Sequence, residues 1–362
     1  MLVKFSVENY RGFSKKIEWS LNNPSDYDFN QDVIKNGVIK NGIIYGPNGS
    51  GKTNFGLAIF DLVHHLTQKE KAKDYLFNFA YAGNVEKPVS FEYVFKLNGH
   101  LVKYSYAKKG NGELISEKME TDGVLAFSRN GTLLDIPKYE MESYRYNDLV
   151  NNANRVSIVS SLLSTYPLKE DDPILSMQQF AESMLWFKNL EEDRYIGLQN
   201  GGADVEEYII QNGYSTAFSE FLSDISKQRF NFVSSSHERF LWCEINRVKI
   251  PFDLLRSTGT RALEFLFYWL TKIDKASLIF IDEFDAFYHY ELAFKVCKKL
   301  FEYGCQIFMT SHNTYLMTND LLRPDCNFIL NNNLIKPLCD CTDKELRWGH
   351  NIEKLYRGGT FD

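Results

Sequence analysis

Apolar and polar residues follow different rhythms in different parts of the chain. Near the start and again from about residue 250, short apolar runs alternate with stretches whose apolar residues recur every three or four positions, as in βαβ units. Between them Val89, Phe91, Tyr93, Phe95 and Leu97 recur at every second position, and Asn98-Gly99, Asp122-Gly123 and Asn130-Gly131 supply hairpin turns. The stretch 89–136 therefore reads as an antiparallel meander. From about Ser164 to Lys227 the rhythm turns helical, with Met177, Phe180, Met184, Phe187 and Leu190 on one face and a break at Gly201-Gly202. Strand-like segments return near Phe230 to Val233 and Phe240 to Ile245. The predicted fold class is α/β, a mixed β-sheet core with an antiparallel β lobe and a short helical insert. Its predicted divisions are 1–140, 141–235 (mainly helical) and 236–362.

Candidate chemistry begins at Gly46-Pro-Asn-Gly-Ser-Gly-Lys-Thr53, a full match to GxxxxGK[ST]. An apolar run, Gly42-Ile43-Ile44-Tyr45, enters it, and a helical pattern with Phe55, Ile59, Leu62 and Leu66 leaves it. Glycines let the backbone curl so that N–H groups converge on an anion at a helix N-terminus. Lys52 then reaches the β- and γ-phosphates and Thr53 ligates Mg²⁺, with Gly46, Asn48, Gly49, Ser50, Gly51 and Asn54 lining the same cradle. More than 200 residues on, Leu278-Ile-Phe-Ile-Asp-Glu283 runs four apolar residues into two carboxylates, which fits a buried strand delivering Asp282 to Mg²⁺ and Glu283 to the attacking water.

Between these motifs stands Leu255-Arg-Ser-Thr-Gly-Thr260, followed by a helical pattern with Leu263, Phe267 and Leu270. It resembles the ABC signature in the Ser-x-Gly-Thr form of SMC-like and RecF-like ATPases. That resemblance implies that Ser257 and Gly259 make a second anion site serving a partner subunit's ATP. Phe284-Asp285-Ala286 resembles the loop that crosses the interface of such dimers, which makes Asp285 a cross-subunit candidate. Ile307-Phe-Met-Thr-Ser-His312 resembles the switch histidine, with His312 expected on the γ-phosphate, and His289 reads as a packing or capping residue. Glu8-Asn-Tyr-Arg-Gly-Phe13 resembles the opening of SMC and RecF heads, where an arginine approaches nucleotide, here Arg11. The family's coupling glutamine has no counterpart in Asn78 to Asn84, where it is expected, and that residue stays unassigned.

The whole layout resembles the AAA-type ATPases of abortive infection and anti-phage defence, Phe287-Tyr288-His289 after the Asp-Glu pair included. The resemblance implies slow hydrolysis of ATP with Mg²⁺ in a homodimer, or a higher even-numbered homo-oligomer, closed around nucleotide. About 50 residues follow His312, too few for an appended nuclease, so toxic chemistry is expected in a separate effector, a nuclease or toxin. Two other readings stay open. One is a RecF-like ATPase of DNA repair or DNA clamping. The other is a transporter subunit, against which Ser-x-Gly-Thr and the large insertions count.

Composition narrows the picture only in places. The 362-residue chain carries a formal net charge of -6, so its surface as a whole is no basic footprint, although a local groove on a dimer leaves nucleic acid open as a partner. Lys69, Lys71 and Lys73 read as a solvated helix face. Six cysteines lack paired CxxC spacing, and Cys339-Asp-Cys341 with His350 is a poor match to a zinc site. No basic-then-apolar leader opens the sequence and no apolar run is long enough to span a bilayer, so a cytoplasmic protein without a membrane partner is expected.

Overall fold

Two seven-stranded sheets organise the computed structural model, which describes residues 1–67, 79–152, 156–188, 195–197, 204–235 and 237–361. In chain order, β1 (Leu2–Glu8) pairs with β2 (Ile17–Ser20), β3 (Ile34–Lys35) with β4 (Val38–Ile39), and β5 (Asn41–Tyr45) leads into α1 (Lys52–Ile59) and α2 (Asp61–Leu66). A meander follows: β6 (Val89–Leu97), β7 (His100–Lys108), β8 (Leu114–Thr121), β9 (Val124–Asn130) and β10 (Leu133–Asp135). Helices α3 (Ser143–Asn151), α4 (Ile158–Thr165) and α5 (Pro173–Glu182) precede β11 (Leu185–Lys188) and β12 (Tyr195–Gly197). Then come α6 (Val205–Gln211), α7 (Ser215–Ser226), the hairpin β13 (Trp242–Ile245) and β14 (Val248–Pro251), and α8 (Thr258–Leu270). The chain finishes with β15 (Leu278–Asp282), α9 (Tyr290–Phe301), β16 (Gln306–Thr310), β17 (Asn327–Asn331), β18 (Leu334–Pro337) and α10 (Ile352–Arg357).

The first sheet has the order β10-β9-β8-β7-β6-β1-β2 and is antiparallel throughout. The alternation read at Val89 to Leu97 is its signature: those five apolar residues are buried and the residues between them are not. The second sheet has the order β12-β11-β15-β16-β5-β17-β18, in which β11, β15, β16, β5 and β17 run parallel. Every residue of β5, β15 and β16 is buried, as expected of parallel strands covered on both faces.

The core joins the sheets. Trp19 of β2 meets Phe308 at 4.5 Å, Phe328 at 5.5 Å and Phe55 at 5.4 Å between ring centroids, all edge to face. Gln306 of β16 accepts from the Leu2 amide at 2.6 Å and donates to the carbonyls of Leu2 and Ile39 at 2.9 and 3.1 Å. A buried amide side chain of the second sheet thus satisfies backbone groups of β1 and β4.

Two expectations are corrected. The stretch read as one helical face from Met177 onward is broken: α5 stops at Glu182, and Leu185-Trp-Phe-Lys188 is a strand paired in parallel with β15. Met184 and Phe187 point into the core as flank and member of that strand, whose aromatic residues suit a pleated surface. The division 141–235 therefore donates a strand to the second sheet. The helical pattern after the P-loop is likewise two helices, parted at Phe60, where Asp61 turns to meet the Lys108 ammonium and the Tyr106 hydroxyl, each at 2.7 Å. Leu190, Gly201-Gly202, Lys69, Lys71, Lys73 and Asn78 lie outside the described residues.

Candidate functional site

At the carboxyl ends of β5, β15 and β16 the parallel sheet brings three predicted motifs to one edge, the usual place for a ligand in an α/β sheet. The P-loop leaves β5 and starts α1. Gly51 has φ +98°, and a Cβ there would stand 2.5 Å from the Phe13 ring, so the tight passage admits only glycine. Lys52 is buried, and its ammonium donates to the carbonyls of Gly46 at 2.8 Å and Pro47 at 3.2 Å. Burial lowers its pKa, while the facing carboxylates of Asp282 and Glu283 oppose that shift.

Asp282, fully buried at the end of β15, accepts from Thr53 Oγ1 at 2.7 Å and from Thr310 Oγ1 at 2.8 Å. Burial raises its pKa against those two hydrogen bonds. Thr310 also accepts from the Glu283 amide at 2.8 Å, so one hydroxyl orients both acidic residues. Glu283 has φ +50°, a left-handed backbone that costs a non-glycine residue about 1–3 kcal/mol and that clusters at functional sites. Asp285 accepts from Ser311 at 2.7 Å, and its pKa is raised by burial. His312 follows at once. Desolvation and then the Lys52 ammonium lower its pKa, against the charges of Glu283, Asp285 and Asp282.

Arg11, with φ +45°, donates to Asn54 Oδ1 at 3.4 Å, bringing the opening motif to the first turn of α1. Its amide bonds the Phe79 carbonyl at 2.7 Å and Tyr81 N bonds Asn9 O at 2.9 Å, so the segment expected to hold a coupling glutamine packs on that opening motif instead. His289 caps α9, its Nδ1 accepting from the Leu292 amide at 3.3 Å, as its packing-or-capping reading has it.

Ser257 caps α8 by accepting from the Thr260 amide at 3.2 Å, and Thr260 Oγ1 donates to Gln228 at 2.9 Å. A Cβ on Gly259 would stand 3.1 Å from the Phe287 carbonyl, which sets this turn against the loop after Glu283. Arg256, just before it, pairs with Asp253 at 2.5 Å, with Glu206 at 3.4 Å and with Glu264. The hydrogen bonds of Ser257 and Thr260 thus tie the turn to α8 and Gln228, and those of Lys52 and Thr53 tie the P-loop to Asp282 and to itself.

The donor set suits a polyphosphate and a hard cation. Ser50 Oγ is buried without a hydrogen-bond partner, and no side chain caps the N-terminus of α1, which leaves its amides for an anion. Thr53 and Asp282 offer the oxygen donors that Mg²⁺ takes. Sequence reasoning did not single out Thr310, Ser311, Arg256 or Lys188. The first two left a signal, hydroxyls closing an otherwise apolar strand.

Fold and site together define a P-loop ATPase of the AAA/ABC type. The chain belongs to the family described as "AAA domain, putative AbiEii toxin, Type IV TA system", whose model matches residues 43–318, more than half of its length. No curated protein matches it. Among solved structures it is similar to an SMC head domain from Thermotoga maritima, with 16% identity, 93% of this chain and 98% of that one covered, and a TM-score of 0.45. It is also similar to the recombination mediator RecF bound to an ATP analogue, with 16% identity, 94% and 98% covered, and a TM-score of 0.42. Among the described residues no helix is long and apolar enough to cross a membrane.

Proposed function

We propose that this protein binds ATP with Mg²⁺ in a sandwich homodimer, or a higher even-numbered oligomer, hydrolyses it slowly, and uses that cycle as a regulatory switch in anti-phage defence acting through a separate effector. The observation that carries the reading is the meeting of Lys52, Thr53, Asp282, Glu283 and His312 at one edge of the parallel sheet, while Ser257 and Gly259 are held by α8 and the loop after Glu283. A site whose second anion-binding turn belongs to another part of the chain is completed most simply by a second copy. The family description supports the defence context.

In this reading Gly46, Asn48, Gly49, Ser50, Gly51, Lys52 and Asn54 cradle the phosphates, with Arg11 beside Asn54. Thr53 and Asp282 hold Mg²⁺, which neutralises charge on the phosphates when bound. Glu283 polarises the attacking water, His312 bonds the γ-phosphate oxygens, and Ser257, Gly259 and Asp285 reach the partner's nucleotide. The decisive experiment is Glu283→Gln. It is expected to bind ATP with near-native affinity, to turn over at least tenfold more slowly, and to accumulate an ATP-dependent dimer in light scattering. Wild-type hydrolysis by this variant, or a monomer at saturating ATP, overturns the reading.

A further inference from the structure

Lys188 ends β11 directly across from Asp282 in the parallel register, and its ammonium lies 3.5 Å from Glu283 Oε2. β11 flanks β15 on the side away from β16 and β5. The two acidic residues at the end of β15 are consequently drawn in opposite directions. Asp282 is held toward the P-loop by Thr53 and Thr310, and Glu283 toward β11 by Lys188.

Glu283 cannot swing its backbone to escape, because its left-handed φ is pinned by the amide bond to Thr310. Only its side-chain torsions can carry the carboxylate between β11 and the P-loop side. The Lys188 and Glu283 side chains are 27% and 40% exposed, which makes the pair strong enough to bias those torsions and weak enough to be broken.

We propose that Lys188 is a latch on Glu283, a positioning residue that holds the carboxylate toward the end of β11 and thereby keeps basal ATP turnover low. The proposal rests on Glu283 being the water-polarising group.

The test is steady-state hydrolysis of Mg-ATP by the full chain and by Lys188→Met, Lys188→Arg, Glu283→Gln and the Lys188→Met/Glu283→Gln pair. Lys188→Met is expected to raise kcat about two- to fivefold, the range that one exposed ion pair supports, with unchanged KM for ATP and unchanged Tm. Lys188→Arg, which keeps the charge, gives a smaller gain, and the double variant shows no gain over Glu283→Gln. A kcat in Lys188→Met at or below wild type, or an equal gain in the double variant, overturns the latch. If Glu283→Gln turns over like wild type, or no chain turns over at all, the proposed function fails, whatever Lys188 does.

Discussion

At Thr310 a single hydroxyl serves two residues, donating to Asp282 Oδ1 and accepting from the Glu283 amide, both at 2.8 Å. Valine has the same shape and neither capacity. Thr310→Val therefore strands a part-buried N–H and is expected to lower stability by about 1–3 kcal/mol, with a fall in kcat larger than any change in ATP affinity. Thr310→Ser, which keeps the oxygen, should retain most of both. Urea denaturation and ATP turnover check the pair. Most of the candidate site was legible at this scale because the chemistry is local: the P-loop, the Asp-Glu pair and Met-Thr-Ser-His312 each lie within a few consecutive residues. Lys188 and Arg256 were not, because each acts on groups distant in sequence, Glu283 in one case and Glu206 in the other.

Elements were legible where one periodicity ruled. The meander announced itself, since β6 and β7 alternate and asparagine-glycine or aspartate-glycine turns follow β6, β8 and β9. β11 did not, because Phe180, Met184 and Phe187 fall at helical spacing across the end of α5, and a four-residue strand is too short to reveal its own period. Within the meander, Glu117 of β8 shows what an element can be asked to do for another. It is wholly buried, pairs with Arg129 of β9 at 3.0 Å, accepts from Tyr104 at 2.8 Å, and accepts from the first amide of α4, Ile158 N, at 2.8 Å. Burial raises its pKa against the Arg129 charge. Glu117→Ala removes the carboxylate opposite a buried guanidinium and the acceptor of the first amides of α4 together, and is expected to cost about 3–5 kcal/mol, read as a lower denaturant midpoint. ATP affinity, set at the other sheet, should change little.

For the whole molecule, the proposed sandwich makes each composite site from two chains. Lys52→Ala is expected to lose nucleotide binding and Ser257→Arg to bind ATP without closing a dimer, so each alone is inactive. Mixed in equal amounts they should recover a substantial fraction of wild-type hydrolysis, because one site of each mixed dimer regains both elements. No recovery on mixing would show that each chain completes its own site. The two-sheet plan follows from the rhythms read along the chain, but the place of β11 in the second sheet depends on long-range pairing that no local pattern encodes.

The sheet neighbours of the P-loop strand are β16 and β17, both more than 250 residues downstream of β5. A ribosome making this chain releases Asn41–Tyr45, a strand wholly buried in the finished fold, long before either neighbour exists. Closing the sheet around β5 must await nearly complete synthesis, and the loop-closure entropy of that step favours slow folding. An interrupted polypeptide ending before residue 306 would carry an intact P-loop sequence with its strand unpaired, prone to self-association and without Thr310 and His312. The strands that complete the edge around the P-loop thus arrive only with the last fifth of translation, so partial products lack a finished site.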